Sequence, residues 1–434
     1  MTDTLKNIVK AHKQGDAVGI YSVCSANQYV LEASMNQAKQ DDSVLLIEST
    51  SNQVDQFGGY MNMTPDQFVS YVHSICQRMD FPAEQVILGG DHLGPNVWQG
   101  KPSDEAMKLA RDLIKAYVLA GYTKIHLDTS IRCADDPGDK NTPLATETIA
   151  ERAAQLCEVA EQTSASFKNK PLYIVGTEVP TPGGAREELT ELIPTKIDDL
   201  QDSIELTKQA FYDRHLQDAW ERVIAVVVQP GVEFGDLSVV DYDRSKAWEL
   251  IHFIERYHFV YEAHSTDYQL PPKLKELVED HFAILKVGPG LTFALREAIF
   301  ALAQMERELM QLHRGLSASN IIDVIDDVML NKSEYWKKHY HGNEQELAYA
   351  RKYSYSDRIR YYWPAAEIQA ALHVLIQNLD KLAIPFTLLG QYMPNQYWAI
   401  RNGKIKASPV HLIHHKIQEI VSIYASATNQ SSGV

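Results

Sequence analysis

Short apolar, β-branched runs alternate with longer amphipathic stretches along most of the chain. Eight such runs occur, at residues 19–23, 43–48, 86–90, 124–128, 173–177, 223–228, 259–262 and 283–287. Continuous apolar runs bounded by polar turns are typical of parallel strands that are buried on both faces. The pattern therefore predicts eight parallel strands, each followed by a helix.

The amphipathic stretches are predicted to be those helices. They cover residues 26–40, 64–79, 104–120, 146–161, 197–214, 245–256, 272–280 and 292–312. The second begins with Thr64-Pro65-Asp66, a capping residue followed by proline at the first helical position. Eight alternating units predict an α/β fold, a (β/α)8 TIM barrel over residues 1–313. The alternative is a doubly wound open sheet, which usually has a glycine-rich loop after its first strand, but residues 22–26 form none.

Strand-like runs become scarce after the eighth unit. Helical stretches such as 321–329 and 367–379 dominate there, and residues 315–320 mark a boundary. We therefore predict that residues 314–434 form a helical extension that packs on the barrel. The length of 434 residues agrees with this division, because such barrels take about 250 residues.

Charge and composition narrow the range of partners. The formal net charge is −16, whereas nucleic acid and anionic membranes select basic patches, so neither is expected as a partner. The four cysteines form no C-x-x-C pair. No apolar signal segment is visible at the start, and no apolar run approaches the roughly 20 residues that span a bilayer. The predicted location is the cytoplasm.

Side chains with metal-binding or acid–base chemistry follow nearly every predicted strand. In a barrel the carboxyl ends of the strands meet at the active-site face, so these side chains should converge. In chain order they are Ser22, Cys24, Glu48, Asp91, His92, Asp128, Arg132, Glu178, Gln229, Glu233, Glu262, His264 and Lys286. One such residue alone is often a helix cap or a structural group. The whole set indicates a metal site with an acid–base pair.

His92 and His264 are the predicted metal ligands, with Glu233 as the carboxylate ligand. The two histidines follow different strands and can therefore meet across the mouth of the barrel. Imidazole nitrogens with one carboxylate suit Zn²⁺, with Mn²⁺ or Ni²⁺ as alternatives. Gln229 and Glu178 compete with Glu233 for the third position.

Several longer segments of the chain are distinctive. They are TSNQVDQFGGY at 50–60, GGDHLGPN at 89–96, GTEVP at 176–180, QPGVEF at 229–234, YEAHSTDYQ at 261–269 and SYSDRIRYYWP at 354–364. Together they resemble the GatZ/KbaZ family, the Z-type subunits of class II D-tagatose-1,6-bisphosphate aldolase. The resemblance implies a role in carbohydrate catabolism, of galactitol, N-acetylgalactosamine or tagatose, with a ketohexose or ketohexose phosphate as substrate.

The resemblance also implies roles for single residues, because the family is similar to class II fructose- and tagatose-bisphosphate aldolases, which are zinc barrels. Their third strand ends in a proton-donating aspartate and a metal-binding histidine, which correspond to Asp91 and His92. Their seventh strand carries a metal-binding histidine that corresponds to His264. On the sixth strand Glu233 stands where they have a histidine, which makes the site more acidic and favours a harder ion such as Mn²⁺.

The eighth strand departs from the aldolases, which hold phosphate with an Asn-x-x-Thr segment there. This chain has Lys286 and then a Gly-Pro-Gly turn, where the amides of Gly288 and Gly290 either cradle phosphate or simply open a helix. The predicted substrate-binding residues are Asn52, Gln53, Gln56, Tyr60, Asp128, Gln229, Lys286, Gly288 and Arg358. Arg132, Arg358 and Arg360 either clamp a phosphate or form structural ion pairs.

Two functions remain open. In the first, the chain supports a catalytic Y-type aldolase subunit, and tagatose 1,6-bisphosphate is cleaved to two trioses. In the second, as the resemblance to some relatives implies, the chain alone is a metal-dependent tagatose or tagatose-6-phosphate 4-epimerase, with Asp91 and Glu178 as acid–base pair. The family also carries the older description of a tagatose-6-phosphate kinase, but the sequence has no P-loop or kinase motif. A homo-oligomer is expected.

Overall fold

The eight apolar runs fold as eight parallel strands that close into a barrel. The structure, a computed structural model, describes residues 2–139, 142–176, 192–313 and 315–429. The strands are β1 (Ile20–Val23), β2 (Leu45–Thr50), β3 (Val86–Leu93), β4 (Lys124–Leu127), β5 (Leu172–Gly176), β6 (Val223–Val227), β7 (Glu233–Phe234), β8 (Val239–Val240), β9 (Val260–Ala263) and β10 (Ile284–Val287). Around the barrel their order is β1-β10-β9-β6-β5-β4-β3-β2, while β7 and β8 form a separate antiparallel pair. The predicted barrel is confirmed, and the open sheet is wrong.

Helices connect the strands and continue after the barrel. They are α1 (Thr2–Lys13), α2 (Gln28–Asp41), α3 (Pro65–Met79), α4 (Ser103–Leu119), α5 (Thr146–Thr163), α6 (Ile197–Asp213), α7 (Gln217–Trp220), α8 (Trp248–Ile254), α9 (Pro271–Glu279), α10 (Pro289–Met310), α11 (Ile321–Asn331), α12 (Glu344–Tyr353), α13 (Ala366–Leu382), α14 (Phe386–Tyr392), α15 (Pro394–Arg401) and α16 (Pro409–Ala427). Short 3-10 helices span Ala83–Gln85, Asn96–Trp98, Ser333–Tyr335 and Arg358–Tyr361. None of the described helices is both apolar and long enough to cross a membrane.

The N-terminal helix closes the end of the barrel where the strands begin. Leu5, Ile8 and Val9 on α1 join one buried apolar cluster with the barrel side chains Ile20 and Ile284. At the end of α1, the Nε2 of His12 lies 2.9 Å from the Nδ1 of His281, just before β10. Because apolar side chains fill this end of the barrel, we look for the active site at the carboxyl ends of the strands.

The helices after α10 pack on the barrel and reach its carboxyl-end face. α16 lies against α2 and α10, and α13 lies against α10 and α11. On α16, the Tyr424 hydroxyl donates to the carbonyl of Thr266 at 2.7 Å. The Tyr268 hydroxyl donates to the carbonyl of Tyr355 at 2.6 Å. One hydrophobic core contains side chains from both parts of the chain. The predicted domain boundary at residue 313 therefore does not divide this core, and it stays a prediction.

Candidate active site

A layer of charged side chains lies inside the barrel beneath the carboxyl ends of its strands. The Nζ of Lys124 lies 2.5 Å from Glu48 Oε1 and 2.6 Å from Glu262 Oε2, and all three side chains are fully buried. Lys286 contacts Glu48, and its Nζ lies 2.5 Å from Asp91 Oδ1. Burial lowers the pKa of Lys124, but Glu262 and Glu48 outweigh burial and raise the pKa above its ordinary value. The buried ammonium groups are therefore held in their charged form.

Strand alternation explains how these side chains share the barrel interior. Side chains alternate between the two faces of a strand, so residues i and i+2 face the same side. Lys124 and His126 on β4 are related in this way. Glycine makes room beside them. A Cβ on Gly89 would lie 2.7 Å from the Cγ of Glu48, and a Cβ on Gly94 would lie 1.7 Å from the carbonyl oxygen of Asp128. Both positions therefore require glycine.

Three imidazole rings meet at the edge of this charged layer. The ring centroid of His92 lies 5.1 Å from that of His126 and 5.1 Å from that of His264, and the remaining pair is 5.3 Å apart. Ligand atoms of Asp91, His126, Glu262 and His264 all lie within 4.8 Å of one another. Imidazole nitrogens and carboxylate oxygens in such proximity suit a divalent metal ion.

Hydrogen bonds orient the rings as they do in metal sites. The Nδ1 of His92 lies 2.9 Å from Asp128 Oδ2, which leaves its Nε2 for a ligand. The Nε2 of His264 lies 2.9 Å from Glu262 Oε1, which leaves its Nδ1. The Nε2 of His126 is buried and has no hydrogen-bond partner among the described residues. Because carboxylate–histidine pairs fix ligand orientation in metalloproteins, the donor set fits a metal.

The site carries an excess of negative charge. Three buried carboxylates, those of Glu48, Asp91 and Glu262, face the ammonium groups of Lys124 and Lys286, and a fourth, that of Asp128, faces His92. Burial raises the pKa of Asp91, but His92 and Lys286 outweigh burial and hold it well below its ordinary value. Burial lowers the pKa of His264 to about 3, so that imidazole stays neutral. Uncompensated buried charge is unfavourable, and two excess negative charges match one divalent cation.

His92 offsets part of this charge when no cation is bound. Burial lowers the pKa of His92, but Asp91 and Asp128 outweigh burial and raise it above its ordinary value. Its Nε2 lies 3.6 Å from Asp91 Oδ2. A proton on that nitrogen and a metal ion compete for the same lone pair, so metal binding at this histidine releases a proton.

A cleft opens over His92 and His264. Five of the predicted substrate-binding residues line it: Asn52, Gln53, Tyr60, Lys286 and Gly288. Asp91, His92 and His264 line it as well, and the 3-10 helix Arg358–Tyr361 contributes Arg360 and Tyr361. The convergent polar groups suit a small polar ligand such as a sugar.

The remaining predicted substrate contacts are engaged elsewhere. Gln56 donates to the carbonyl of Leu109 at 3.0 Å. The side-chain oxygen of Gln229 accepts from the amides of Gly231 and Val232 at 2.8 and 3.0 Å. Asp128 contacts His92 rather than the cleft. The structure therefore gives these three side chains structural partners and does not bring them to the cleft.

The three arginines that the sequence suggested as phosphate clamps, Arg132, Arg358 and Arg360, lie in different surroundings. Arg358 donates to the carbonyl of Tyr335 at 2.7 Å and does not line the cleft. Arg132 donates to the carbonyls of Thr142, Pro137 and Pro143 within its own loop, all at 2.7–2.9 Å. Arg360 is the one of the three that lines the cleft. Glu178, the predicted partner of Asp91 in acid–base chemistry, lies outside the described residues.

Glu233 is not one of the four residues whose ligand atoms cluster, which are Asp91, His126, Glu262 and His264. Its carboxylate accepts from the amide of Phe234 at 3.0 Å and bonds to the Ser265 side chain, and the residue is 2% exposed. Burial raises its pKa to about 7. The clustered ligand atoms include those of His126 and Glu262, which the sequence prediction did not name as ligands, but not those of Glu233. Its role as a ligand stays a prediction.

The predicted phosphate cradle after β10 already holds a carboxylate. The Oδ1 of Asp267 accepts from the amides of Gly288 and Gly290 at 3.0 and 2.7 Å. α10 begins at Pro289, so this carboxylate lies at the N-terminus of a 22-residue helix, where the helix dipole favours an anion. Burial still raises the pKa of Asp267 to about 6.

Arg360 and Tyr361 form part of the wall of the cleft. The guanidinium of Arg360 donates to the Tyr361 hydroxyl at 2.9 Å and lies 4.4 Å from that ring's centroid. Burial raises the pKa of Tyr361, but Arg360 and Arg358 outweigh burial and lower it below its ordinary value. The aromatic segment 354–364 is visible in the sequence, but only its folding as a 3-10 helix shows which side chains face the cleft.

Comparison with known proteins places this site in context. The family model described as "D-tagatose-1,6-bisphosphate aldolase subunit GatZ/KbaZ-like" matches residues 5–429. The chain is 43% identical, with a TM-score of 0.86, to the crystal structure of a "probable tagatose 6 phosphate kinase" from Sinorhizobium meliloti 1021, over 94% of this chain and 100% of that one.

Two aldolase structures match much more weakly. The YdjI aldolase from Escherichia coli K12 is 12% identical with a TM-score of 0.41, over 88% of this chain and 96% of that one. A fructose-bisphosphate aldolase from Campylobacter jejuni is 14% identical with a TM-score of 0.41, over 88% and 93%. Likeness at this level supports no conclusion about the present chain.

Proposed function

The chain belongs to the GatZ/KbaZ-like family of D-tagatose-1,6-bisphosphate aldolase subunits, and from that premise we propose that it catalyses aldol-type chemistry on a ketohexose itself. The proposed reaction inverts C4 by breaking and re-forming the C3–C4 bond, as in a tagatose or tagatose-6-phosphate 4-epimerase. One observation carries the proposal: Asp91, His92, His264 and Lys286 line one cleft, and ligand atoms of His126 and Glu262 lie within 4.8 Å of those of Asp91 and His264. A subunit that only supports another chain does not need this arrangement.

A divalent ion is part of the proposal, Zn²⁺ by preference and Mn²⁺ or Ni²⁺ as alternatives. His92, His126 and His264 would hold it. When bound, the ion supplies Lewis-acid stabilisation of the negative charge that develops on the sugar's C2 oxygen. The excess negative charge and the unpartnered nitrogen of His126 support this assignment.

Asp91 is proposed to exchange the proton of the C4 hydroxyl. As the carboxylate accepts that proton, the C3–C4 bond breaks, C4 becomes an aldehyde, and the bonding electron pair moves to C3 as an enediolate. The aldehyde turns about the C4–C5 bond, C3 adds to its other face, and the proton returns to the C4 oxygen. No oxidant or reductant is needed. Lys286, 2.5 Å from Asp91, keeps the carboxylate ionised between turnovers.

The test is turnover by the purified chain alone. The metal-loaded chain is incubated with tagatose 6-phosphate and with free tagatose, and fructose isomers are followed by chromatography. We expect conversion that needs the ion and falls by about a hundredfold or more in His126→Gln, because a buried ligand is lost. His373→Gln, at an exposed histidine on α13, is the matched control. Conversion that appears only after a Y-type subunit is added means that the chain is accessory and that the proposal is wrong.

The substitution Glu233→Gln distinguishes whether the side chain of Glu233 is a buried carboxylic acid or a metal ligand. Burial raises its pKa from 4.5 to about 7, so the folded chain keeps a proton that the unfolded chain has released, and stability falls as pH rises from 4.5 to 7. Glutamine cannot ionise and still accepts the Phe234 amide. In metal-free chain we therefore expect the free energy of unfolding by urea to exceed wild type by about 3 kcal/mol at pH 8 and by little at pH 4.5. Loss of bound metal in the variant would instead identify Glu233 as a ligand.

A further inference from the structure

A groove lies between α10 and the helices that follow it in the chain, and we call it the outer groove. One face of α10 contributes Phe293, Arg296, Phe300 and Gln304 to it. Their spacing of three or four residues puts them on the same side of the helix, over a length of about 16 Å. The other sides come from α12, from the junction of α14 and α15, and from α16. None of the described residues that line the outer groove also lines the cleft, so the two are separate places.

Aromatic rings line much of the outer groove. The six of them are Phe293, Phe300, Tyr349, Tyr353, Tyr355 and Tyr392. Tyr349 and Tyr353, both on α12, expose 53% and 42% of their surface. Exposed aromatic side chains that share one concave surface are typical of a binding site, because their rings offer a large apolar area together with a polar hydroxyl. The outer groove is therefore suited to an aromatic or other apolar group.

Arg296 is buried among these rings and lines the same groove. Only 3% of its surface is exposed. Its guanidinium carbon lies 3.8, 5.4 and 5.5 Å from the ring centroids of Phe293, Phe300 and Tyr353. Contacts between a cation and the face of a ring use none of the N–H groups of the guanidinium, which all lie in its own plane. These rings therefore hold the charge of Arg296 without satisfying its donors.

The Nε of Arg296 lacks an acceptor. This atom is buried and has no hydrogen-bond partner among the described residues. Asp357 Oδ1 lies 3.7 Å away, which is too far for a hydrogen bond, and it too is buried without a hydrogen-bond partner in the described part of the chain. Because a buried donor without an acceptor is unfavourable, we expect a ligand oxygen at Arg296.

A singly charged carboxylate suits the outer groove better than a phosphate does. Lys416 also lines the groove, but its Nζ lies 3.3 Å from Glu297 and 3.2 Å from Glu419. Glu297 and Asp236 are themselves lining residues, and they repel added negative charge. A single guanidinium pairs well with the two oxygens of one carboxylate, whereas it leaves a doubly charged phosphate only partly compensated.

We propose that the outer groove binds a small organic carboxylate that carries an aromatic or apolar group. The carboxylate binds Arg296, and the apolar group packs against the exposed rings of α12. This site goes beyond the proposed function, because binding there does not depend on turnover of a sugar. Asp357, the ion-pair partner of Arg296, directly precedes the 3-10 helix that carries Arg360 and Tyr361 into the cleft. The outer groove is thus one ion pair away from the cleft wall.

Titration of the metal-loaded full chain with 4-fluorophenylacetate, followed by fluorine NMR, tests this inference. We expect saturable binding at least about tenfold tighter than that of the neutral 4-fluorophenylacetamide, which lacks the charge. Arg296→Lys keeps the charge but loses the planar fork, so we expect about tenfold weaker binding. Tyr349→Ala removes an exposed ring and should weaken binding about fivefold. Because Tyr349 is exposed, this variant keeps the test decisive even if a change at the buried Arg296 impairs folding.

Trp398→Ala is the matched control. Trp398 on α15 is also an exposed aromatic side chain, but it does not line the outer groove, so affinity for the acid should stay within about twofold of wild type. Tagatose 6-phosphate, whose proposed place is the cleft, should not displace the acid. The inference is overturned by no binding to wild type up to about 10 mM, by equal binding of the acid and the amide, by displacement with tagatose 6-phosphate, or by unchanged affinity in Tyr349→Ala.

Discussion

Asp91→Asn is expected to lower the turnover of a ketohexose by about a thousandfold while the chain stays folded and retains its metal. Asp91 lies at the end of β3 in the wall of the cleft, with its Oδ1 2.5 Å from Lys286 Nζ and 3.0 Å from His126 Nδ1. These neighbours hold the carboxylate ionised, so it can accept the C4 hydroxyl proton. An asparagine of the same shape cannot accept that proton.

The comparison needs a control and a check on folding. Asp280→Asn removes another buried carboxylate, one that binds Arg244 and Tyr242 before β10, at the opposite end of the barrel. Its turnover is expected to stay within about threefold of wild type even where stability falls. Metal content and circular dichroism are measured for each variant. If Asp91→Asn, folded and metal-loaded, keeps more than a tenth of the wild-type turnover, Asp91 is not the proton carrier.

Lys124→Met is expected to reduce the free energy of unfolding by about 3–5 kcal/mol. The ammonium of Lys124 lies between Glu48 and Glu262, at 2.5 and 2.6 Å, and none of the three side chains reaches solvent. Methionine has a similar length but leaves both carboxylates without this partner in the barrel interior. The penalty comes from buried charge that is no longer compensated rather than from lost attraction alone.

Urea unfolding of metal-free chain at pH 7 measures this effect. Lys108→Met, at an exposed position on α4, is the matched control and should change the free energy of unfolding by less than about 0.5 kcal/mol. A loss below about 1 kcal/mol in Lys124→Met would mean that the carboxylates are already protonated or solvated. In that case the site carries no excess negative charge that would attract a cation.

Much of the barrel could be predicted because its determinants are local. Each strand is a short apolar run, and each run is visible without knowledge of its neighbours, so β1 to β6 and β9 and β10 match the predicted runs within a few residues. The β7–β8 pair was not predicted, because two-residue strands carry no periodicity. The predicted helix 245–256 is shorter in the structure, where α8 spans Trp248–Ile254.

The candidate site was predicted less completely than the barrel. Strand ends were the guide, and they indicated Asp91, His92 and His264, which the structure brings together. His126 was missed because it lies within β4 rather than after it. A polar residue two positions from Lys124 in an otherwise apolar strand is a signal for the barrel interior that the sequence does contain.

Other parts of the site depend on contacts that sequence spacing does not determine. Arg358 and Arg360 are two residues apart, and only the 3-10 helix shows that Arg360 lines the cleft. The amides of Gly288 and Gly290 were expected either to cradle phosphate or simply to open a helix, but Asp267, more than 20 residues earlier, accepts from both of them. Long-range partners of this kind arise from barrel closure, which brings the ends of β9 and β10 side by side.

The central claim is that this chain alone inverts C4 by cleaving the C3–C4 bond. The most direct measurement is NMR of the product formed by the metal-loaded chain, without a Y-type subunit, from tagatose 6-phosphate deuterated at C4. Retro-aldol cleavage never breaks the C4–H bond, so we expect fructose 6-phosphate that retains its deuterium in ordinary water. Failure of the chain alone to invert C4 of this substrate and of free tagatose, or product with hydrogen in place of deuterium at C4, would contradict it.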